Sequence, residues 1–132
     1  MLKKKKMHKK KTILHIDDNV IFMNSVKSVL KQSLDVNYDH VCDKYEAYHY
    51  LRNKMPDVII VDLMLENDYD PDPGVKLVEE FSKKYKGIDL VVMTGNPDSE
   101  IKNHLLEITP HYETKGSDPM SFQAKMKRII EK

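Results

Sequence analysis

The chain contains no tryptophan, one cysteine and only four glycines in 132 residues. A lone Cys42 excludes an internal disulfide and fits a reducing compartment, so a cytoplasmic location is expected. The glycines (Gly74, Gly87, Gly95 and Gly116) are too few and too scattered for a phosphate-cradling P-loop or a dinucleotide fingerprint. No two of the six histidines have the His-x-x-x-His spacing of a helical zinc pair. No apolar run approaches the length that crosses a bilayer, so no membrane partner is expected. The lysine-rich start has neither the apolar stretch nor the small-residue cleavage site of a secretory signal. At this length one well-buried core is affordable and two ordinary domains are not.

The net charge of +1 hides an asymmetry. Residues 1–11 hold seven lysines and no acid, which leaves 15 basic against 21 acidic side chains in the rest. The division predicted is therefore a basic N-terminal tail, 1–11, and a folded, acidic domain, 12–132. No aromatic residue is interleaved with the lysines, which argues against nucleic acid as a partner and for a solvated terminus.

Residues 57–63 include four consecutive β-branched apolar positions, Val58, Ile59, Ile60 and Val61, and end at Asp62. A strand without polar alternation expects no water on either face, as inside a parallel sheet. Shorter strands are predicted at 12–16, 38–42, 88–94 and 111–114. Between them lie helices whose apolar residues recur with helical spacing: Phe22, Val26, Val29 and Leu30; Ala47, Tyr50 and Leu51; Leu77, Val78 and Phe81; Ile101, Leu105 and Ile108; and Phe122, Met126, Ile129 and Ile130. Asn19, Asp43 and the pair Asp118-Pro119 supply helix starts, and Glu46 stands at capping-box distance from Asp43. Five βα units predict an α/β fold, a doubly wound five-stranded parallel sheet with five helices, in the flavodoxin-like order 2-1-3-4-5.

In that order the carboxyl ends of the strands carry Asp17 and Asp18, Asp62, Thr94 and Lys115. The first and third strands flank the point where the crossovers change sides, so the three acids meet in one crevice. Three carboxylates repel one another unless a cation sits among them, and a hard divalent ion with oxygen ligands suits them; Mg²⁺, which keeps several waters, is the expected cofactor. Lys115 adds an ammonium and Thr94 a hydroxyl. A carboxylate nucleophile with this company fits phosphoryl transfer to Asp62, a reaction catalysed mostly by positioning and charge neutralisation.

Asp17-Asp18, the 57–62 strand, Thr94, Lys115 and Tyr112 three residues before it together resemble the receiver domain of two-component response regulators, over residues 12–132. The resemblance implies a single-domain signalling phosphoacceptor rather than an enzyme acting on outside substrates. Asp62 would take a phosphoryl group from a histidine kinase or a histidine phosphotransfer protein. Asp17, Asp18, Asp62 and the backbone carbonyl of Met64 would hold Mg²⁺, and Thr94 and Lys115 would bind the phosphoryl oxygens. Thr94 and Tyr112 would switch position, changing how a downstream protein meets the face formed by the fourth helix, fifth strand and fifth helix. Gly95 would keep the crevice open, while Met64 and Asn96 occupy positions that tune the phosphate's lifetime.

The sequence also departs from that family. Gly116 replaces the usual proline after the lysine, so no cis bond is expected there. Glu113 occupies a normally apolar position, which predicts a short or solvated fifth strand, and the loop after Asp62 is about four residues longer than is common. In that loop Asp68, Asp70, Asp72 and Glu79 have calcium-loop spacing, but Pro73 takes the place of the essential glycine and no helix precedes it, so a solvated acidic loop is the better reading. Two alternatives use the same fold. An aspartyl-nucleophile phosphatase commonly carries a second Asp where Met64 stands, and a non-phosphorylated interaction module has no need of the complete set of acids with Thr94 and Lys115. His15, in an apolar strand, reads as a packed core residue.

Overall fold

In the computed structural model the described residues are 10–65, 70–95 and 98–132. The lysine tail up to residue 9, the loop positions 66–69 (Asp68 of the calcium pattern among them) and Asn96 lie outside them. Five strands alternate with five helices: β1 (Lys11–Ile16), α1 (Val20–Lys31), β2 (Val36–Val41), α2 (Lys44–Asn53), β3 (Val58–Asp62), α3 (Asp72–Lys84), β4 (Asp89–Thr94), α4 (Ser99–Leu106), β5 (His111–Thr114) and α5 (Pro119–Glu131). All pairings are parallel and the order is β2-β1-β3-β4-β5, as the sequence predicts.

Every residue of β3 is buried, which is why that strand shows no alternation. Its odd and even positions feed two separate cores. Val58 and Ile60 pack with Ile13, Val91 and Met93 beneath α1 and α5, where Val26, Leu30, Phe122 and Met126 close the layer. Ile59 and Val61 pack with Leu14, Ile16 and Val92 beneath α2, α3 and α4, against Ala47, Leu51, Leu77, Phe81 and Leu105. Each such side chain, fully buried, contributes about 1.5–3 kcal/mol of hydrophobic stabilisation before conformational entropy is subtracted. No helix among the described residues is long and apolar enough to cross a membrane.

The helix starts form as their residues dictate. Asn19 accepts the Phe22 N–H, Asp43 the Glu46 N–H, and Asp98 those of Glu100 and Ile101. Glu46 answers the cap by accepting from Cys42 N at 2.7 Å, one residue earlier than a capping box requires. Asp43→Ala should therefore lower stability by about 1 kcal/mol, read from the urea midpoint.

Three expectations need correction. In α1 the buried positions are Met23, Val26 and Leu30, while Phe22 and Val29 are only half-buried; α1 is rotated so that Phe22 lies at the edge of the core, towards the crevice. The stretch 72–74, read as loop, is the first turn of α3. Pro73 costs nothing there because a first-turn N–H has no helical acceptor. Finally, Glu113 is buried rather than solvated, and Lys125 of α5 neutralises it at 3.2 Å; β5 is nonetheless short, at four residues. In the remaining acidic loop, Asp70 Oδ1 accepts from Asp72 N and Glu79 pairs with His104 at 2.7 Å. Asp72 and Glu79 are thus helical residues, and neither is set as a calcium-loop ligand.

Candidate functional site

The register of the sheet builds the crevice. Ile16 of β1 lies opposite Val61 of β3, so the next residues along, Asp17 and Asp62, stand side by side at the carboxyl edge. Backbone bonds extend the sheet past the strand ends: Asp17 N to the Val41 carbonyl, Leu63 N to the Met93 carbonyl and Lys115 N to the Thr94 carbonyl, at 2.8–3.2 Å. Side chains from distant parts of the chain are thereby fixed on one rim. Asp18, Asn19, Val20, Ile21, Asp62, Met64, Gly95 and Lys115 line an open crevice of about 750 Å³ there.

Asp17, Asp18 and Asp62 each bring a carboxylate oxygen within 4.8 Å of the others. Asp17 and Asp62 are buried and Asp18 faces solvent. Lys115 reaches over them, its Nζ 2.9 Å from Asp17 Oδ2 and 3.3 Å from Asp62 Oδ2. Asp17 Oδ1 accepts from Asn19 N, and Asp62 Oδ1 accepts from Met64 N at 3.2 Å. The sequence-predicted acids and lysine are thus brought together, and Met64 lies beside them. Thr94 is buried at the end of β4, whose register sets it opposite Thr114 of β5. Tyr112 lies further back, opposite Val92, its ring half-buried against the α2–α4 core and under the Lys102 ammonium. Its hydroxyl is buried without a hydrogen-bond partner among the described residues.

Burial and the neighbouring Asp17 charge raise the pKa of Asp62 to about 6, against which Lys115 works. At neutral pH Asp62 is ionised yet poorly solvated, a suitable state for a nucleophile. Burial disfavours the Lys115 ammonium, but hydrogen bonding to Asp17 and the charges of both acids outweigh it and raise its pKa. His15 is fully buried, and burial lowers its pKa to about 4, which makes it neutral at pH 7. Its Nδ1 meets the Tyr38 hydroxyl and its Nε2 stands 3.7 Å from Asp17 Oδ2. The core reading of His15 holds, although this core residue also backs the acidic site.

The donor set fits a hard divalent cation. It is all oxygen and carries up to three negative charges against one ammonium. Sequence reading missed one neighbour. Its spacing puts Phe22 on the inner stripe of α1, yet its ring centroid lies 4.4 Å from Lys115 Nζ. Helical periodicity identifies an apolar residue but not a contact with the far end of the chain; the only available signal was its place four residues after Asp18.

A doubly wound domain with an acidic crevice at its switch point, spanned by a lysine, belongs to the flavodoxin-like class that places ligands outside the carboxyl ends of its strands. Within that class the chain belongs to the response regulator receiver domain family, whose profile matches residues 13–112. That family is a phosphoacceptor signalling domain of two-component systems. The fold is similar to that of a CheY-like receiver domain protein from Methanospirillum hungatei (TM-score 0.79, 22% identity, covering 93% of this chain and 95% of that one). It is also similar to that of a response regulator from Thermotoga maritima (TM-score 0.81, 18% identity, 94% and 100% covered). A third similar structure is Salmonella enterica RcsB bound to a promoter with a phosphomimetic (TM-score 0.77, 20% identity, 89% and 66% covered). Receiver folds thus occur in DNA-bound regulators as well, and the fold by itself does not separate protein-directed from DNA-directed outputs. Among curated proteins none matches the chain.

Proposed function

We propose that Asp62 accepts a phosphoryl group from the phosphohistidine of a kinase or a phosphotransfer protein, and that the modified chain then presents a changed surface to a downstream partner. An Asp62 carboxylate oxygen attacks phosphorus while the phosphorus–nitrogen bond breaks, its electron pair returning to the imidazole. Asp17, Asp18, Asp62 and the Met64 carbonyl would hold Mg²⁺, which when bound neutralises charge on the transferring phosphoryl oxygens. Lys115, already bridging Asp17 and Asp62, moves its positive charge onto a phosphoryl oxygen, and the Thr94 hydroxyl donates to another. Filling of this rim draws Thr94 forward, and Tyr112 follows into the space behind it, its hydroxyl having no polar tether among the described residues. The face built by α4, β5 and α5 then changes its affinity for a partner.

The observation that carries this reading is the Lys115 ammonium held within hydrogen-bonding reach of two buried acids in an open crevice. Incubation with acetyl phosphate and Mg²⁺ followed by intact mass should show one added phosphate, absent from Asp62→Asn. Steady release of free phosphate from unrelated phosphate esters, without a phosphorylated chain, would instead favour the phosphatase alternative.

A further inference from the structure

Behind the lysine that spans the crevice stands an aromatic residue that the phosphoacceptor chemistry does not require. Phe22, on the first turn of α1, directs its ring at Lys115, with 4.4 Å from Nζ to the centroid. The same ammonium makes the 2.9 and 3.3 Å contacts with Asp17 and Asp62. The ring is itself held edge-on by buried His15, with centroids 6.1 Å apart and planes at 80°. His15 is in turn anchored by the Tyr38 hydroxyl, which donates to the Met23 carbonyl of α1 at 3.1 Å. A connected set of packed groups therefore runs from the interior to the ammonium.

Lysine needs such a seat because its backbone fixes little of its long, rotamer-rich side chain. Here the main chain of Lys115 is bonded to the Thr94 carbonyl at 2.8 Å and enters a turn closed by Ser117 N and the Thr114 carbonyl. Gly116 adopts φ +85° at the third position of that turn, as a type II turn demands. Opposite, the chain passes Gly95, where even an added Cβ would only just touch Lys115 Cδ at 4.0 Å. Backbone and Gly95 do not themselves hold the terminal ammonium; among the described residues the two acids attract it from one side and the negative face of the Phe22 ring adds a further contact.

We propose that Phe22 is a positioning residue, its ring face seating the Lys115 ammonium between Asp17 and Asp62 so that the charge is already in place when a phosphoryl group arrives. This rests on the phosphoacceptor reading above. Replacing the ring by an alkyl group of similar size keeps the packing but removes the attraction, whereas another aromatic ring keeps both.

The test compares wild type, Phe22→Leu and Phe22→Tyr by two readouts. In NMR spectra of the full chain without phosphodonor, the Lys115 side-chain protons nearest the ring should be shifted upfield in wild type and Phe22→Tyr and return to ordinary positions in Phe22→Leu. With acetyl phosphate and Mg²⁺, Phe22→Leu should be phosphorylated roughly three- to tenfold more slowly, the range one partly desolvated cation–π contact supplies, and Phe22→Tyr should recover most of that loss. The Mg²⁺ concentration for half-maximal rate should stay the same in all three, since the acids are untouched. Unshifted Lys115 resonances in wild type, or a Phe22→Leu chain as fast as wild type, would overturn the proposal. A weakened Mg²⁺ dependence in Phe22→Leu would also overturn it, by showing general collapse of the crevice. Failure of wild type to acquire phosphate on Asp62 would instead overturn the phosphoacceptor reading, while the NMR shifts still decide whether Lys115 sits on Phe22.

Discussion

Gly74→Ala is expected to destabilise the fold by about 3 kcal/mol or more, an effect in the range of severe overpacking. A Cβ built on Gly74 would lie 2.7 Å from the Leu63 carbonyl carbon and closer still to that residue's Cα and oxygen. These are backbone atoms directly after Asp62, and Leu63 N is itself bonded to the Met93 carbonyl of β4. Neither side has a flexible end that can yield. Either α3 retreats from the sheet, opening the layer where Leu77, Val78 and Phe81 are buried, or the end of β3 shifts and takes Asp62 with it. Chemical denaturation should report the loss of stability. A surviving fraction of folded Gly74→Ala should also accept phosphate from acetyl phosphate more slowly than wild type. A variant with wild-type stability would mean that the first turn of α3 does not press on the strand end as described.

Replacing Asp62 should have the opposite effect on stability. The folded-state pKa of Asp62 is raised from its ordinary value of 3.8 to about 6, by burial first and by Asp17 second. A raised carboxylate pKa means the fold prefers the protonated group. Its contribution is present at low pH and is lost as pH rises through the window between 3.8 and about 6. Above that window the ionised Asp62 is a standing destabilisation on the order of 3 kcal/mol, because each pKa unit between 3.8 and about 6 is worth about 1.4 kcal/mol. Asp62→Asn removes the charge and keeps the shape. In metal-free buffer at pH 7 it should therefore be more stable than wild type by that order, with the two converging near pH 4. Mg²⁺ should raise wild-type stability by mass action and act much less on Asp62→Asn. Equal stabilities at pH 7 without metal would show that Lys115 already compensates the buried charge. In that case function has little destabilising cost at this position.

These two predictions draw on different kinds of information. The raised pKa was foreseeable in outline, since three acids ending neighbouring strands must repel. The Gly74 contact was not. In the sequence it follows a run of Asp and Pro residues that signals a loop, and only the packing of α3 on β3 shows that a side chain there has no room. Phe22 tells the same story. Its spacing from Val26 marks it as apolar, but the ammonium above its ring comes from the far end of the chain. Glu113 misled in the other direction, because its partner Lys125 lies on a different element and cannot be inferred from strand patterning.

By itself the sequence determined the alternation of five strands and five helices, the double burial of β3 and the acids, threonine and lysine that end the strands. Those features are local, encoded in hydrophobic period, caps and turn residues. Tertiary structure alone decided which of those groups touch. The register that sets Asp17 beside Asp62, the seat of Lys115 on Phe22 and the close approach of Gly74 to Leu63 depend on how layers pack. Packing is a property of pairs distant in the chain, on which no local pattern reports.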